Sequence, residues 1–156
     1  RRGLVAAAAV GRPRLVIADE PTPGMEAEDV SETLRLFREL ADGGCGVLFI
    51  THDLEAAVRT ADRIAVFYAG TTVEIAEAGD FSGDGSKLRH PYSRALWRAL
   101  PQNGFIPLAG SQPRPDALPQ GCLFAARCVF ATPDCAAKRP AMRELRGGQV
   151  RCIHAT

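Results

Sequence analysis

Residues Leu15 to Ala18 form a four-residue apolar run that ends abruptly in two carboxylates, Asp19 and Glu20, followed by Pro21. A short apolar run bounded by turn signals reads as a strand buried on both faces, the kind found in parallel sheets. Such strands carry charge at their ends and not in their middles. In open α/β sheets the ligand sits beyond the carboxyl ends of the strands. Asp19 and Glu20 therefore stand where a ligand belongs. One can hold a metal ion while its neighbour polarises a water.

A second run, Gly46 to Ile50, ends the same way, in Thr51, His52 and Asp53. Between the two, Val30, Leu34, Phe37 and Ala41 recur every three or four residues from about Glu26 to Ala41, which predicts a helix with one apolar stripe. Strand, helix, strand is a βαβ unit, with a right-handed crossover and both strands running the same way. Asp19, Glu20 and His52 are then expected at one edge of the sheet. Asp53 to Ala61 predicts a short helix with acidic residues in its first turn.

Upstream, Arg2 to Val10 is Ala-rich and is followed by Gly11 and Pro13, the signature of a helix end. That implies a sequence beginning part-way through a longer protein. Downstream, Arg63 to Tyr68 and Thr71 to Ala76 predict a β-hairpin turning at Gly70. Gly79 to Arg89 reads as a linker, and His90-Pro91-Tyr92 starts a helix that stops at Pro101. Gln102 to Gln120 is a proline-rich loop. The two domains expected are 1–78 and 79–156. Phe67 and Tyr68 read as packing residues, as do Trp97 and Leu100, and Cys45 as a small apolar residue beside a strand.

Composition narrows the classes. The 156 residues are 46% hydrophobic and 24% charged, with a net charge of +1, so no case for nucleic acid rests on charge. No run approaches the length of a membrane-spanning helix. Four of the five cysteines, Cys122, Cys128, Cys135 and Cys152, fall in the last 35 residues, at gaps of five, six and sixteen. Four thiolates suit zinc or an iron–sulfur cluster. Zinc ribbons pair cysteines at shorter gaps, so a cluster, zinc and reduced structural thiols all stay open here.

Leu15-Val-Ile-Ala-Asp-Glu-Pro-Thr22 resembles the Walker B segment of ABC-transporter ATPases, and Phe49-Ile-Thr-His-Asp-Leu54 resembles their switch-histidine loop. The tail, His90-Pro-Tyr-Ser-Arg-Ala-Leu with Pro101, Leu118-Pro-Gln-Gly-Cys-Leu-Phe and Arg127-Cys128, is similar to the C-terminal region of the oligopeptide/dipeptide/nickel importer ATPases. The resemblance implies an α/β fold: the second half of a P-loop NTPase domain, with parallel strands and helices, and a small Cys-rich C-terminal extension. It implies ATP and magnesium, with Asp19 on the metal, Glu20 orienting or deprotonating the attacking water and His52 on the γ-phosphate. It also implies that the four cysteines hold a 4Fe–4S cluster, with zinc as the alternative, and Arg127, Arg139, Arg143 and Arg146 could neutralise its charge. The implied partners are a second ATPase subunit, the transmembrane permease subunits and, indirectly, a solute-binding protein, at the cytoplasmic face of the membrane.

Two features set expectations against activity of this stretch alone. No Gly-x-x-x-x-Gly-Lys-Ser/Thr occurs, and the only lysines are Lys87 and Lys138. Where the family usually has Ser/Thr-Ala-Leu-Asp, this chain has Pro23-Gly24-Met25-Glu26, with Glu26 as the one candidate to replace the aspartate. The competing function is a non-hydrolytic metal-binding interaction module with vestigial ATPase residues. Half a parallel sheet is also expected to expose apolar surface and to be poorly soluble.

Overall fold

The computed structural model describes residues 11 and 13–156. The helix expected over 2–10 lies outside them. The elements are β1 (Leu15–Asp19), α1 (Ala27–Asp42), β2 (Gly46–Ile50), α2 (Leu54–Thr60), β3 (Arg63–Tyr68), β4 (Thr71–Glu77), α3 (Pro91–Arg98), α4 (Pro133–Ala137), β5 (Arg143–Leu145) and β6 (Gly148–Val150). The chain divides into two compact units, Arg1–Asp62 and Arg63–Thr156. The division falls after α2 and not at residue 78, because β4 bonds to β6 and so ties the hairpin to the cysteine-bearing region.

In the first unit, β1 and β2 pair in parallel, Leu15 opposite Gly46 through Asp19 opposite Ile50. The periodicity that predicts α1 also sets its packing: Thr33, Leu34 and Phe37 are buried, and the Phe37 ring lies 5.7 Å from that of Phe49. Burying an aromatic or aliphatic side chain of this size contributes about 1.5–3 kcal/mol. Gly43 ends α1 by donating its N–H to the Glu39 carbonyl at 3.0 Å. Arg38 binds Asp42 one turn on and reaches Asp62 at 2.8 Å, fastening the end of α2 to α1.

The other face of this two-stranded sheet is open. Leu15, Ile17, Leu48 and Ile50 point the same way by alternation, and Ile17 and Leu48, which are register partners, are 62% and 50% exposed. Parallel strands normally have both faces covered, so this patch is expected to drive association of the chain. Replacing Ile17 and Leu48 together by threonine, which keeps strand propensity, is expected to raise the monomer fraction in sedimentation velocity at micromolar concentration. Unchanged association would show that another surface drives it.

The second unit is an antiparallel sheet in the order β3-β4-β6-β5. The β3–β4 turn is Ala69-Gly70, both left-handed (φ 47° and 80°). Two consecutive left-handed residues make the tight turn whose twist matches a hairpin. Tyr68, Tyr92 and Phe124 stack edge to tilted face within 5.5 Å of one another. Phe67, expected to pack, points outward on the alternate face of β3 and is exposed. Trp97 is buried, and its indole N–H donates to the Gly83 carbonyl at 3.0 Å.

Residues 79–89 are not a free linker. Phe81 and Leu88 are buried, and a Cβ on Gly85 would come within 2.8 Å of the Trp97 ring. The segment is held by a buried charged cluster. Glu74 accepts the main-chain N–H groups of Arg89 (2.7 Å) and His90 (2.8 Å). The Arg89 guanidinium binds Glu74 and Asp80 and donates to the carbonyls of Leu145 and Arg146. His90 then caps α3, its Nδ1 accepting the Tyr92 N–H at 3.0 Å. Burial pushes the His90 imidazole down to about 4, so it is neutral and free to accept.

Candidate active site

The parallel register carries β1 and β2 to a common rim. The Glu20 N–H donates to the Ile50 carbonyl at 2.9 Å, extending the ladder one residue past the strand. Glu20 itself is left-handed, φ 43°, a conformation that costs a non-glycine residue about 1–2 kcal/mol. The turn aims its carboxylate across the rim. Glu20 Oε1 accepts the His52 main-chain N–H at 3.0 Å and faces His52 Nδ1 at 2.9 Å. A carboxylate oxygen only accepts, so Nδ1 carries the proton. The hydrogen bond to Glu20, then its charge, and to a smaller extent the charge of Asp53, raise the His52 imidazole above its ordinary range.

The other carboxylate oxygen, Glu20 Oε2, is buried with no hydrogen-bond partner. A buried acceptor without a donor is costly, and a water or ligand hydroxyl is what satisfies one. Asp19, one residue earlier, is the exposed last residue of β1, opposite Ile50. The structure therefore places Asp19, Glu20 and His52 at one end of two adjacent strands. Pro23 to Glu26 forms a turn: Gly24 is left-handed (φ 73°) and the Met25 N–H reaches the Thr22 carbonyl at 3.2 Å. Glu26 stands at the N-cap position of α1, where its side chain makes no capping bond.

The His52 loop is braced on its far side by Thr51 and by Asp53, which was expected inside the first turn of the helix and stands instead at its N-cap. The Asp53 carboxylate accepts the Ala56 N–H at 3.0 Å, and the Asp53 N–H donates to the Thr51 hydroxyl at 3.0 Å. An aspartate just ahead of a helical pattern is the capping signal that marks it.

In the second unit, Cys135 and Cys152 are buried and Cys122 and Cys128 half-buried, all as thiols. Burial pushes the Cys122 and Cys128 thiols up, and the neighbouring sulfurs, Cys152 and Cys135 among them, push in the same direction. The Cys122 N–H donates to the Cys135 carbonyl at 2.7 Å, and a Cβ on Gly121 would lie 2.3 Å from the carbonyl oxygens of Cys135 and Ala136, so only glycine fits there. Four sulfurs are the donor chemistry of zinc and iron–sulfur centres. Among the described residues, however, no three or more of His, Cys, Asp and Glu are grouped so as to hold a metal ion. The arginines are engaged elsewhere. Arg127 donates to the carbonyls of Leu108 and Ala109, Arg139 to those of Pro119 and Gly121, and Arg143 to those of Cys152 and Ala155. They staple loops, and Arg146 contributes its carbonyl to Arg89.

Comparison with known proteins adds relatives along the whole length of the chain. The family described as "Oligopeptide/dipeptide transporter, C-terminal region" matches residues 73–135. The "Dipeptide transport ATP-binding protein DppD" of Escherichia coli is 36% identical over 160 residues, covering 99% of this chain and 48% of that protein. The "Probable peptide ABC transporter ATP-binding protein y4tR" of Sinorhizobium fredii is 37% identical over 159 residues, covering 95% and 45%. The chain spans about half the length of the curated relatives it matches. The class to which the chain is similar is thus that of the ATP-binding proteins of ABC transporters. Within that class, residues 73–135 match the oligopeptide/dipeptide transporter family, and the chain as a whole is similar to its dipeptide-transport relatives.

Proposed function

We propose that this chain supplies the hydrolytic rim of an ATP-binding subunit that drives import of peptides through an ABC transporter. The observation that carries this is the convergence of Asp19, Glu20 and His52 on one strand rim, with a carboxylate oxygen of Glu20 left without a donor. Asp19 would hold the magnesium ion, which neutralises phosphate charge. Glu20 Oε2 would take a proton from, or orient, the attacking water. His52, held through Nδ1, leaves Nε2 to meet the γ-phosphate. Phosphoryl transfer is largely positioning and charge neutralisation, so these groups are of the right kind.

Of the solutes left open by the sequence, peptides are favoured over nickel by the names of the relatives. A second ATPase subunit and permease subunits at the cytoplasmic face of the membrane are the partners of this reading. Among the described residues no helix is long and apolar enough to cross a membrane. Phosphate release by the full-length subunit, with His52→Ala measured beside the parent, tests the proposal. A large loss of turnover with nucleotide binding retained is expected, and equal turnover would reject it.

The four cysteines carry a separate proposal, a metal centre of 4Fe–4S or zinc at Cys122, Cys128, Cys135 and Cys152, resting on the donor chemistry of four free thiols in the one unit. After anaerobic purification, metal analysis and a visible spectrum are expected to show about one centre per chain. Serine at Cys135 and Cys152 should remove it. Metal-free protein with four free thiols would reject it.

A further inference from the structure

The contact between Glu20 and His52 depends on where the His52 backbone lies, because one carboxylate oxygen receives both the main-chain N–H and the ring. His52 sits between two anchors. On one side, Ile50 is tied to Glu20 by the strand ladder. On the other, the chain enters α2 at Asp53, which is extended (φ −82°, ψ 97°) and bonded three ways. Its carboxylate accepts the Ala56 N–H, its carbonyl accepts the Ala57 N–H at 3.1 Å, and its own N–H reaches the Thr51 hydroxyl. The Thr51 bond closes over His52, so residues 51 to 53 form a small tied loop with the imidazole at its apex.

We infer that Asp53 is a positioning residue for the hydrolytic rim: by capping α2 it fixes the loop that sets His52 on Glu20. This rests on the functional reading above and goes beyond it. Ala56 is only 3% exposed, so water does not readily replace the Asp53 carboxylate as its acceptor. Losing the cap therefore frays the first turn of α2 and frees the backbone at 52 and 53. Asparagine caps as well as aspartate, whereas alanine does not cap. The pair Asp53→Asn and Asp53→Ala thus separates the cap from the charge.

The test is amide hydrogen exchange on the chain, read at the His52 and Ala56 N–H groups in the parent, Asp53→Asn, Asp53→Ala and Glu20→Gln. Asp53→Ala is expected to speed exchange at both sites at least tenfold, while Asp53→Asn leaves both near parent rates. A cap that only stabilises its helix would speed Ala56 and leave His52 unchanged, and that result overturns the inference. Glu20→Gln should speed His52 alone, since an amide oxygen is the weaker acceptor. A parent His52 N–H exchanging at the free-peptide rate would overturn the Glu20–His52 geometry itself and the inference with it. If Asp53→Ala does not fold, Thr51→Val opens the same loop from its other end. His52 should then speed severalfold with Ala56 still protected, and no change at His52 overturns the proposal.

Discussion

Glu20→Gln in the full-length subunit is expected to lower ATP turnover by roughly 10²- to 10⁴-fold, the usual worth of a general base. The substitution keeps the shape of the side chain and the oxygen that receives the His52 N–H, so the rim survives. What it removes is charge. The amide neither takes a proton from water at its buried end nor holds a proton on His52 Nδ1 as a carboxylate does. Nucleotide affinity is expected to stay within a few-fold, because the side chain acts on the water and not on the base or ribose. The His52 imidazole should at the same time fall back toward its ordinary range. Its raised value means the charged contact is fully present below the unfolded-state midpoint near 6.5 and is lost as pH rises through the folded-state midpoint. In Glu20→Gln the His52 signals should still titrate by NMR, with their midpoint moved down toward the ordinary imidazole range. Turnover equal to the parent would end the hydrolytic reading.

The second large effect is on stability. Arg89→Met is expected to destabilise the Arg63–Thr156 unit by about 3–5 kcal/mol, the cost of leaving a buried partner uncompensated. Both Arg89 and Glu74 are almost wholly buried, and Arg89 also holds Asp80 and two carbonyls of the β5–β6 hairpin. Buried ion pairs can often be exchanged for apolar residues at little cost. This one is different, because the Glu74 oxygens also receive the N–H groups of Arg89 and His90. Removing both charges strands those donors, at about 1–3 kcal/mol each. The double variant Glu74→Leu with Arg89→Met should therefore be no more stable than either single one. Trp97, the one tryptophan, is buried in this unit and reports its unfolding by fluorescence in urea. A midpoint within experimental error of the parent would show that the cluster is dispensable.

The readable parts of this chain were those in which chemistry and local pattern coincide. Apolar runs ending in charge gave β1 and β2, a 3.6-residue period gave α1, and the parallel direction of two strands was enough to expect Glu20 and His52 on one rim. Glu26 as an N-cap and Asp53 as a brace escaped, because a cap is a matter of which residue stops being extended, and one residue decides it. Residues 79–89 looked like a linker because glycine and serine are all that a sequence shows there. Their order comes from Glu74, fifteen residues before Arg89, and from a hairpin more than fifty residues beyond it.

Strand identity, helix stripe and the residue types at the rim follow from near neighbours along the chain, since side-chain alternation and hydrogen-bonding periods are local properties. Which oxygen of Glu20 is occupied, where the arginines spend their donors and whether four cysteines share a neighbourhood do not. Those depend on distances between segments far apart in sequence, set by burial and by the need to pair every buried polar group, and they appear only once the chain has closed on itself.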